Sequence, residues 1–277
     1  MEKETKRYIS AGVGLILLGL VIFFIDTVVL DIVLTLIGIV AVYESVNASC
    51  KKNVWQYEIL CIAFVIVKLL FQVNDEAIII LLVFALFCVA MASKGRLRFK
   101  DMAAVLLLTV LISYGIFSVI KLRDFGNNIA DKRVLVIFGF GFGWLGDSMA
   151  YTFGKAFGKR KLSPRISPNK TVFGAVSGVL ITTIASVILF GVYSNKCSSD
   201  SLFYGKYNIL NCVVVSVVGF IGSIIGVLGD LALSYVKRQT GIKDFGNIMP
   251  GHGGAIDRID NILFTSTYAY FVFSLLL

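Results

Sequence analysis

The sequence predicts an all-α, polytopic integral membrane protein, a bundle of about nine transmembrane helices. Of its 277 residues, 57% are hydrophobic and only 16% are charged, whereas soluble domains carry about 25% charged residues. Long apolar segments recur along the chain, which contains only three prolines. A membrane-spanning helix needs about 20 apolar residues and pairs its own backbone groups. These segments therefore indicate stacked helices.

The predicted spans follow one another with short polar connections. The first follows the charged stretch 1–7, and no small-residue cleavage site follows Ile25, so we interpret it as a retained helix rather than a signal peptide. We divide the chain into an N-terminal transmembrane region of five helices, residues 1–121, and a catalytic transmembrane region of four helices, residues 122–277. The nine spans are residues 9–25, 27–46, 57–73, 77–92, 102–120, 134–153, 171–193, 208–233 and 260–277.

The positions of the basic residues predict the orientation in the membrane. Most of the 26 Lys and Arg residues fall in alternate connections that share one side with the N-terminus. Because Lys and Arg accumulate in cytoplasmic loops, the N-terminus is expected inside and the C-terminus outside. Much of the net charge of +9 then lies on a cytoplasmic face, where topology and attraction to anionic lipid already account for most such residues.

The two halves of the chain differ in character. The first five spans carry few ionisable residues. We single out Asp31 and Lys68, and we expect both to lie near helix ends or to be partnered. From residue 139 onward, pairs of glycines four residues apart predict close helix packing, and polar residues share those helices. A carboxylate within a membrane helix is a functional candidate. The glycine pairs are Gly139 with Gly143, Gly174 with Gly178 and Gly222 with Gly226.

The first polar motif lies near the predicted cytoplasmic end of the sixth span. Trp144, Asp147 and Tyr151 are spaced i, i+3 and i+7, so they share one helical face. This spacing places a carboxylate and two aromatic rings at the interface. An ordinary aromatic belt explains the rings equally well.

The second motif is a basic loop between residues 154 and 171. Ser167, Lys170 and Thr171 lie in a Ser-Pro turn that leads into the seventh helix. Free N–H groups at a helix start, next to a Lys and hydroxyls, favour phosphate binding. A helix N-cap with a solvated basic loop is the alternative interpretation.

The third motif closes the eighth span. Asp230, Ser234 and Lys237 are spaced i, i+4 and i+7, and Arg238 follows them. One face therefore carries a carboxylate, a hydroxyl and an ammonium group. A structural ion pair is the alternative, although Asp230 and Lys237 are two turns apart and would hardly reach each other.

The fourth motif, residues 243–261, is the most informative. Its glycines surround the only histidine of the chain, His252, so the backbone is expected to come very close to another group. Asp257 and Asp260, one helical turn apart, could converge on one cation, and oxygen ligands without Cys or clustered His suit Mg²⁺. A lone histidine is more often structural than chemically active. The remaining polar or glycine candidates are Lys243, Asp244, Gly253, Gly254 and Arg258.

These motifs resemble those of the phosphatidate cytidylyltransferases, also called CDP-diacylglycerol synthases. Residues Ser234 to Asp260 follow the pattern S-x-V-K-R-x4-K-D-x-G-x3-P-G-H-G-G-x2-D-R-x-D, which is similar to the diagnostic motif of that family. The upstream Trp144-x2-Asp147-x2-Ala150-Tyr151 and Ser167-Pro-x-Lys170-Thr171 segments also resemble family motifs in the expected order. The resemblance is strong over about residues 140–262.

The resemblance implies an activity and a set of roles. Phosphatidate would attack the α-phosphorus of CTP, releasing pyrophosphate and leaving CDP-diacylglycerol in the membrane. The family implies Mg²⁺, with a second cation left open, a homodimer and no nucleic-acid partner, in a bacterial plasma membrane with the active site facing the cytoplasm. The predicted metal ligands are Asp230, Asp257 and Asp260, with Lys237, Arg238 and Arg258 as further catalytic residues. The predicted nucleotide contacts are Asp147, Tyr151, Ser167, Lys170, Thr171, Lys243, Asp244, His252, Gly253 and Gly254.

Other functions remain as alternatives. A CTP-dependent lipid-alcohol kinase would transfer the γ-phosphoryl group, and a CDP-archaeol-type synthase would use ether lipids. A transporter is the non-enzymatic alternative. Its acidic residues should lie at the middle of the bilayer on broken helices, whereas the acidic residues here cluster towards one face.

Overall fold

The computed structural model describes residues 19, 22–50, 55–73, 76–92, 98–246 and 253–276. The first predicted span, residues 9–25, lies largely outside these ranges. The helices, numbered in chain order, are α1 (Val28–Ser49), α2 (Trp55–Leu70), α3 (Ala77–Ala92), α4 (Phe99–Asp124), α5 (Ile129–Phe157), α6 (Val172–Lys196), α7 (Ile209–Thr240) and α8 (Ile256–Leu276), with strands β1 (Lys161–Ser163) and β2 (Ser167–Thr171) between α5 and α6.

The helical membrane architecture is confirmed. Six of these helices, namely α1 and α4 to α8, are long and apolar enough to cross a membrane. Helices α2 and α3 have 16 residues each, which corresponds to about 24 Å at 1.5 Å per residue, less than the roughly 30 Å of a hydrocarbon core. The count of about nine spans therefore stays a prediction.

The expected turn into the seventh predicted span is instead a short antiparallel hairpin. Lys161 pairs with Thr171, and Ser163 pairs with Ser167, with an irregular register between them. Ser167 and Lys170 lie on β2 rather than in a turn, and this strand leads directly into the start of α6, as expected for the segment. Thr171 alone occupies the N-cap of α6, where its Oγ1 accepts a hydrogen bond from the N–H of Gly174 at 3.1 Å.

The chain forms two compact units. The first unit comprises Met1–Phe117 with Gln239–Ile259, and the second comprises Ser118–Arg238 with Asp260–Leu277. The boundaries fall within α4, near the end of α7 and within the first turns of α8. Residues 239–259 of the fourth motif thus belong to the same unit as the N-terminal helices.

The first unit contains the two ionisable residues that the sequence singled out. Lys68 lies in the last turn of α2, fully buried, and donates a hydrogen bond to the carbonyl of Val73 at 2.8 Å. Its ammonium group also lies 4.2 Å from the ring centre of Tyr114 and 4.1 Å from that of Phe117. Asp31 lies in the first turn of α1. The expectation that both lie near helix ends is confirmed.

Glycine pairs allow the helices of the second unit to pack closely. A Cβ at Gly178 of α6 would lie 2.5 Å from the carbonyl oxygen of Gly146 on α5, and a Cβ at Gly226 of α7 would lie 3.3 Å from the Cα of Gly143. Larger residues there would force these backbones apart, so the glycines permit close contact. The prediction of close helix packing is confirmed, and this packing fixes the polar ends of α5, α6 and α7 next to one another.

The opposite end of the second unit has its own polar cluster. Asp131, in the first turn of α5, is completely buried and accepts hydrogen bonds from the hydroxyls of Tyr193 at 2.8 Å and Ser201 at 2.5 Å. Its other oxygen accepts from the N–H of Leu202 at 2.9 Å. This carboxylate ties the connection between α6 and α7 to the start of α5, far along α5 from the Asp147 motif.

Candidate active site

An ion pair between Lys170 and Asp230 lies at the centre of the polar cluster in the second unit. The Nζ of Lys170, on β2, contacts Oδ2 of Asp230 on α7, and it lies 3.8 Å from Oδ1 of Asp147 on α5. The side chains of Lys170 and Asp230 are 20% and 17% exposed, whereas that of Asp147 is 53% exposed. One ammonium group therefore bridges carboxylates from two helices at a partly open site.

Helix α7 presents its polar face to this cluster, as its spacing predicted. The hydroxyl of Ser234 donates a hydrogen bond to Oδ1 of Asp230 at 3.2 Å. Both Ser234 and Lys237 are buried. Asp230 forms its ion pair with Lys170 on β2. The alternative interpretation, an ion pair between Asp230 and Lys237 within α7, is therefore not required.

Asp260 joins the same cluster from α8. It is 8% exposed, and its charged neighbours are Asp230, Lys237 and Asp147. One of its oxygens accepts a hydrogen bond from the N–H of Asn261 at 2.8 Å. Three carboxylates and two ammonium groups, those of Lys170 and Lys237, thus lie together in the second unit.

The aromatic residues of the first motif flank this cluster on α5. The ring of Trp144 packs edge-on against Phe140, with ring centres 5.6 Å apart. Tyr151 is half exposed, as is Asp147. An exposed carboxylate beside an exposed aromatic ring can receive a ligand, and the same exposure suits an interfacial aromatic belt.

The hairpin is attached to α7 by a residue of the third motif. Arg238 donates from its Nε to the carbonyl of Ile166, between the two strands, at 3.3 Å. Thr171 is 6% exposed, and its side-chain oxygen caps α6. This agrees with the alternative interpretation of this segment as a helix N-cap. Ser167 and Lys170 are both partly exposed. Of the three predicted phosphate contacts, Lys170 is therefore placed nearest to the acidic cluster.

In the first unit, Asp257 binds the backbone of the fourth motif. Its Oδ2 accepts hydrogen bonds from the N–H groups of Phe245 and Gly254, each at 2.9 Å. Gly253 has a φ of +84°, and a Cβ there would lie 2.9 Å from the same oxygen. The left-handed conformation and this close approach both favour glycine. The expectation that the backbone comes close to another group is confirmed for this residue.

The other candidates of the fourth motif are solvent-facing or fall outside the described residues. Lys243, Asp244 and Arg258 are exposed. His252 lies outside the described residues.

One buried acid in the first unit belongs to none of the four motifs. Glu44, in α1, is 4% exposed and accepts a hydrogen bond from the N–H of Ile256 at 3.2 Å. A Cβ at either Gly246 or Gly254 would collide with its carboxylate. The signal was available, because Glu44 lies inside the predicted span 27–46, where a carboxylate is a functional candidate.

The cluster of the second unit brings acidic and basic side chains together. Oxygen donors from Asp147, Asp230 and Asp260 suit Mg²⁺, and an ammonium group already lies between two of them. Among the described residues, no three carboxylate, His or Cys side chains are already arranged as a metal site. The arrangement offers acids for a cation and bases for phosphate, at the ends of membrane-length helices.

Comparison with known proteins identifies the family. The model of the Cytidylyltransferase family matches residues 5–276. The phosphatidate cytidylyltransferase of Staphylococcus aureus strain COL is 31% identical over 265 residues, covering 93% of this chain and 94% of that protein. The Staphylococcus haemolyticus enzyme of the same name is 36% identical, covering 65% of this chain and 62% of the relative. The Haemophilus influenzae enzyme is 40% identical, covering 55% and 51%. The chain therefore belongs to the cytidylyltransferase family.

Proposed function

We propose that this membrane protein is a phosphatidate cytidylyltransferase, a nucleotidyltransferase of phospholipid biosynthesis. An oxygen of the phosphatidate phosphate attacks the α-phosphorus of CTP, the bond to the β-phosphate oxygen breaks, and pyrophosphate leaves. The products are CDP-diacylglycerol and pyrophosphate. The observation that carries this proposal is the family match over nearly the whole chain, and the cluster of Lys170, Asp230 and Asp260 supports it.

The residues of the cluster have clear tasks in such a reaction. Nucleotidyl transfer needs positioning and charge stabilisation more than covalent help. Lys170 and Lys237 would hold phosphate oxygens, and the tie between Arg238 and Ile166 keeps the hairpin with Lys170 beside α7. Arg258 and Lys243, exposed in the first unit, are further bases for a triphosphate. Asp147 and Tyr151 would contact the nucleotide from α5.

The acids fit a divalent cation. Its proposed ligands are those that the family resemblance implies, Asp230, Asp257 and Asp260, and a second cation is left open. When bound, Mg²⁺ neutralises phosphate charge and acts as a Lewis acid. The support is the donor chemistry and the crowding of Asp230, Asp260 and Asp147, since carboxylates this close together favour a shared positive charge. Lys170 supplies that charge in this structure.

The orientation is part of the same proposal. The Lys and Arg distribution supports a cytoplasmic location for the 155–170 and 237–258 segments, and CTP is a water-soluble substrate. Phosphatidate would enter from the bilayer beside the apolar helices. A homodimer is proposed from the family resemblance alone.

One assay tests the activity directly. Purified protein is incubated with phosphatidate, Mg²⁺ and CTP labelled at the α-phosphate, and label is measured in the lipid fraction. A cytidylyltransferase places this label in lipid, while a parallel reaction with γ-labelled CTP leaves the lipid unlabelled. With a lipid alcohol in place of phosphatidate, a lipid-alcohol kinase gives the reverse result, whereas a transporter labels no lipid in any of these reactions.

The lipid specificity is tested in the same assay. Ester-linked phosphatidate and its ether-linked counterpart are compared at equal surface concentration. The proposal requires the higher kcat/KM with phosphatidate. A clear preference for the ether lipid would assign the protein to the archaeol-type branch.

A further inference from the structure

A buried carboxylate in α1 lies outside every motif that the proposed mechanism uses. Glu44 is in the second-last turn of α1, and it is 4% exposed. Burying a carboxylate in an apolar helix is unfavourable unless neighbouring groups compensate for the lost hydration. Its surroundings in the first unit therefore indicate what it does.

The carboxylate of Glu44 faces the backbone of the fourth motif. Its Oε2 accepts the hydrogen bond from the N–H of Ile256, the first residue of α8. This N–H belongs to the helix start, where backbone donors have no partner within the helix. Negative charge is also favourable at a helix N-terminus. Glu44 thus acts as an N-terminal partner for α8 from a separate helix.

Both described ends of the loop between α7 and α8 contact the same side chain. Gly246 lies against Oε1 of Glu44, and Gly254 lies against Oε2, so closely that neither position has room for a Cβ. These contacts explain two glycines of the motif by packing rather than by an approach to nucleotide. Residues before and after the segment 247–252 are therefore held against one carboxylate.

Asp257 also binds the backbone at both described ends of the loop between α7 and α8. Its Oδ2 accepts the N–H groups of Phe245 and Gly254, and its charge acts on Glu44. Two like charges near each other are unfavourable. Moreover, Oε1 of Glu44 has no hydrogen-bond partner among the described residues. The backbone at Phe245, Gly254 and Ile256 is thus held by two carboxylates, those of Asp257 and Glu44.

We propose that Glu44 is a positioning residue for the start of α8 and for Asp257 within it. It fixes the start of α8 and the backbone at Gly246 and Gly254, and through them it sets the direction of the Asp257 carboxylate and the place of Arg258. It touches no substrate. Its removal loosens the loop and weakens the use of CTP and Mg²⁺, while the use of phosphatidate changes little.

The test compares three substitutions at this position. Glu44→Gln keeps the length and one oxygen acceptor for the N–H of Ile256, Glu44→Asp shortens the reach by one methylene, and Glu44→Ala removes the acceptor. The control is Ser45→Ala, since Ser45 is also fully buried in α1 but its hydroxyl donates to the carbonyl of Val42 in its own helix, at 2.8 Å. Size-exclusion chromatography in detergent reports the folded fraction of each variant.

Two readouts are measured on each purified full-length variant. Hydrogen exchange followed by mass spectrometry reports the peptides that contain Phe245, Gly254 and Ile256. Steady-state kinetics give kcat and the KM values for CTP and phosphatidate, with Mg²⁺ varied separately. We expect Glu44→Ala and Glu44→Asp to exchange faster in these peptides and to raise the KM for CTP at least tenfold. Glu44→Gln and Ser45→Ala should stay within about twofold of the parent protein.

Several results would overturn the proposal. Normal exchange and kinetics in Glu44→Ala and Glu44→Asp would make Glu44 dispensable. Loss in Glu44→Gln equal to that in Glu44→Asp would show that the negative charge itself acts on the ligands. An equal loss in Ser45→Ala would indicate general packing of α1. The kinetic readout rests on the proposed function, but the exchange readout does not. A parent protein that incorporates no α-label would refute the function while leaving the exchange comparison valid.

Discussion

Lys170 and Asp230 form an ion pair that joins β2 to α7 within the second unit. The two residues are 60 positions apart in the sequence, and they belong to different motifs. Their contact brings the basic hairpin and the acidic face of α7 to one place. The pairing gives Lys170 two roles, one as a partner for Asp230 and one as the proposed contact for nucleotide phosphate.

The first prediction concerns nucleotide binding by Lys170. Hydrogen bonds to charged groups contribute about 1.5–3 kcal/mol, so Lys170→Ala should lower kcat/KM for CTP roughly 10- to 100-fold. The KM for phosphatidate should change much less. Lys161→Ala is the matched control, because Lys161 is exposed on β1, the strand that pairs with β2. A larger effect on phosphatidate than on CTP would assign the hairpin to the lipid.

The second prediction concerns close helix packing in the second unit. Gly178→Ala would place a methyl group 2.5 Å from the carbonyl oxygen of Gly146, and a backbone atom cannot move away as a flexible side chain can. We expect a loss of about 1–3 kcal/mol of stability. Gly141→Ala is the control, because a Cβ there meets nothing within 4 Å. Thermal unfolding in detergent compares the two, and equal Tm values would contradict this packing.

The third prediction concerns the distal cluster around Asp131. Asp131→Ala leaves the donors of Tyr193, Ser201 and Leu202 without their acceptor, so the protein should lose on the order of 3 kcal/mol of stability. Because the cluster is at the other end of α5, kcat per folded molecule should be retained. Asn127→Ala, which removes only an exposed bond to Asp200 at 3.2 Å, is the control. A lower kcat with an unchanged Tm would refute this structural role.

The fourth prediction concerns topology. In a variant without its five native cysteines, single cysteines at positions 160 and 243 should react only with reagents that reach the cytoplasm. Arg160 and Lys243 are both exposed, so their accessibility reports the side of the membrane. A cysteine at position 200, in the predicted outer loop, should show the opposite labelling. External labelling of position 160 or 243 would contradict the proposed orientation.

Much of the second unit could be predicted from the sequence. The i, i+4, i+7 spacing placed Asp230, Ser234 and Lys237 on one face of a helix, because helical periodicity is local. Small residues four apart predicted the approach of α5, α6 and α7. The predicted spans were shorter than the helices, since α5 and α7 continue beyond their apolar parts and hydropathy reports only those parts.

Other features depended on contacts distant in sequence. Nothing local distinguished a turn from a strand at Ser167–Thr171, because β2 is defined by its pairing with β1. The partner of Lys170 could not be inferred from spacing within its own motif. Glu44 gave a local signal that was missed, but its contact with Ile256, 212 positions along the chain, requires the tertiary structure.

The family motifs lead us to propose Asp230 and Asp257, with Asp260 in support, as ligands of the catalytic cation. Replacing either Asp230 or Asp257 by Asn keeps shape and an oxygen acceptor but removes the charge. Since a metal ion contributes several kcal/mol to transition-state stabilisation, kcat should fall by roughly two or more orders of magnitude. The folded, membrane-inserted fraction should remain close to that of the parent protein.

The decisive measurement is therefore turnover of Asp230→Asn and Asp257→Asn across a Mg²⁺ titration, with Asp200→Asn as the control. Asp200 is an exposed acid in the connection between α6 and α7, so its variant should behave like the parent protein. We expect both site variants to lose most of their turnover and higher Mg²⁺ to restore it only in part. Near-normal turnover of both variants at ordinary Mg²⁺ would show that Asp230 and Asp257 are not its ligands and would move the search for the cation to Asp147.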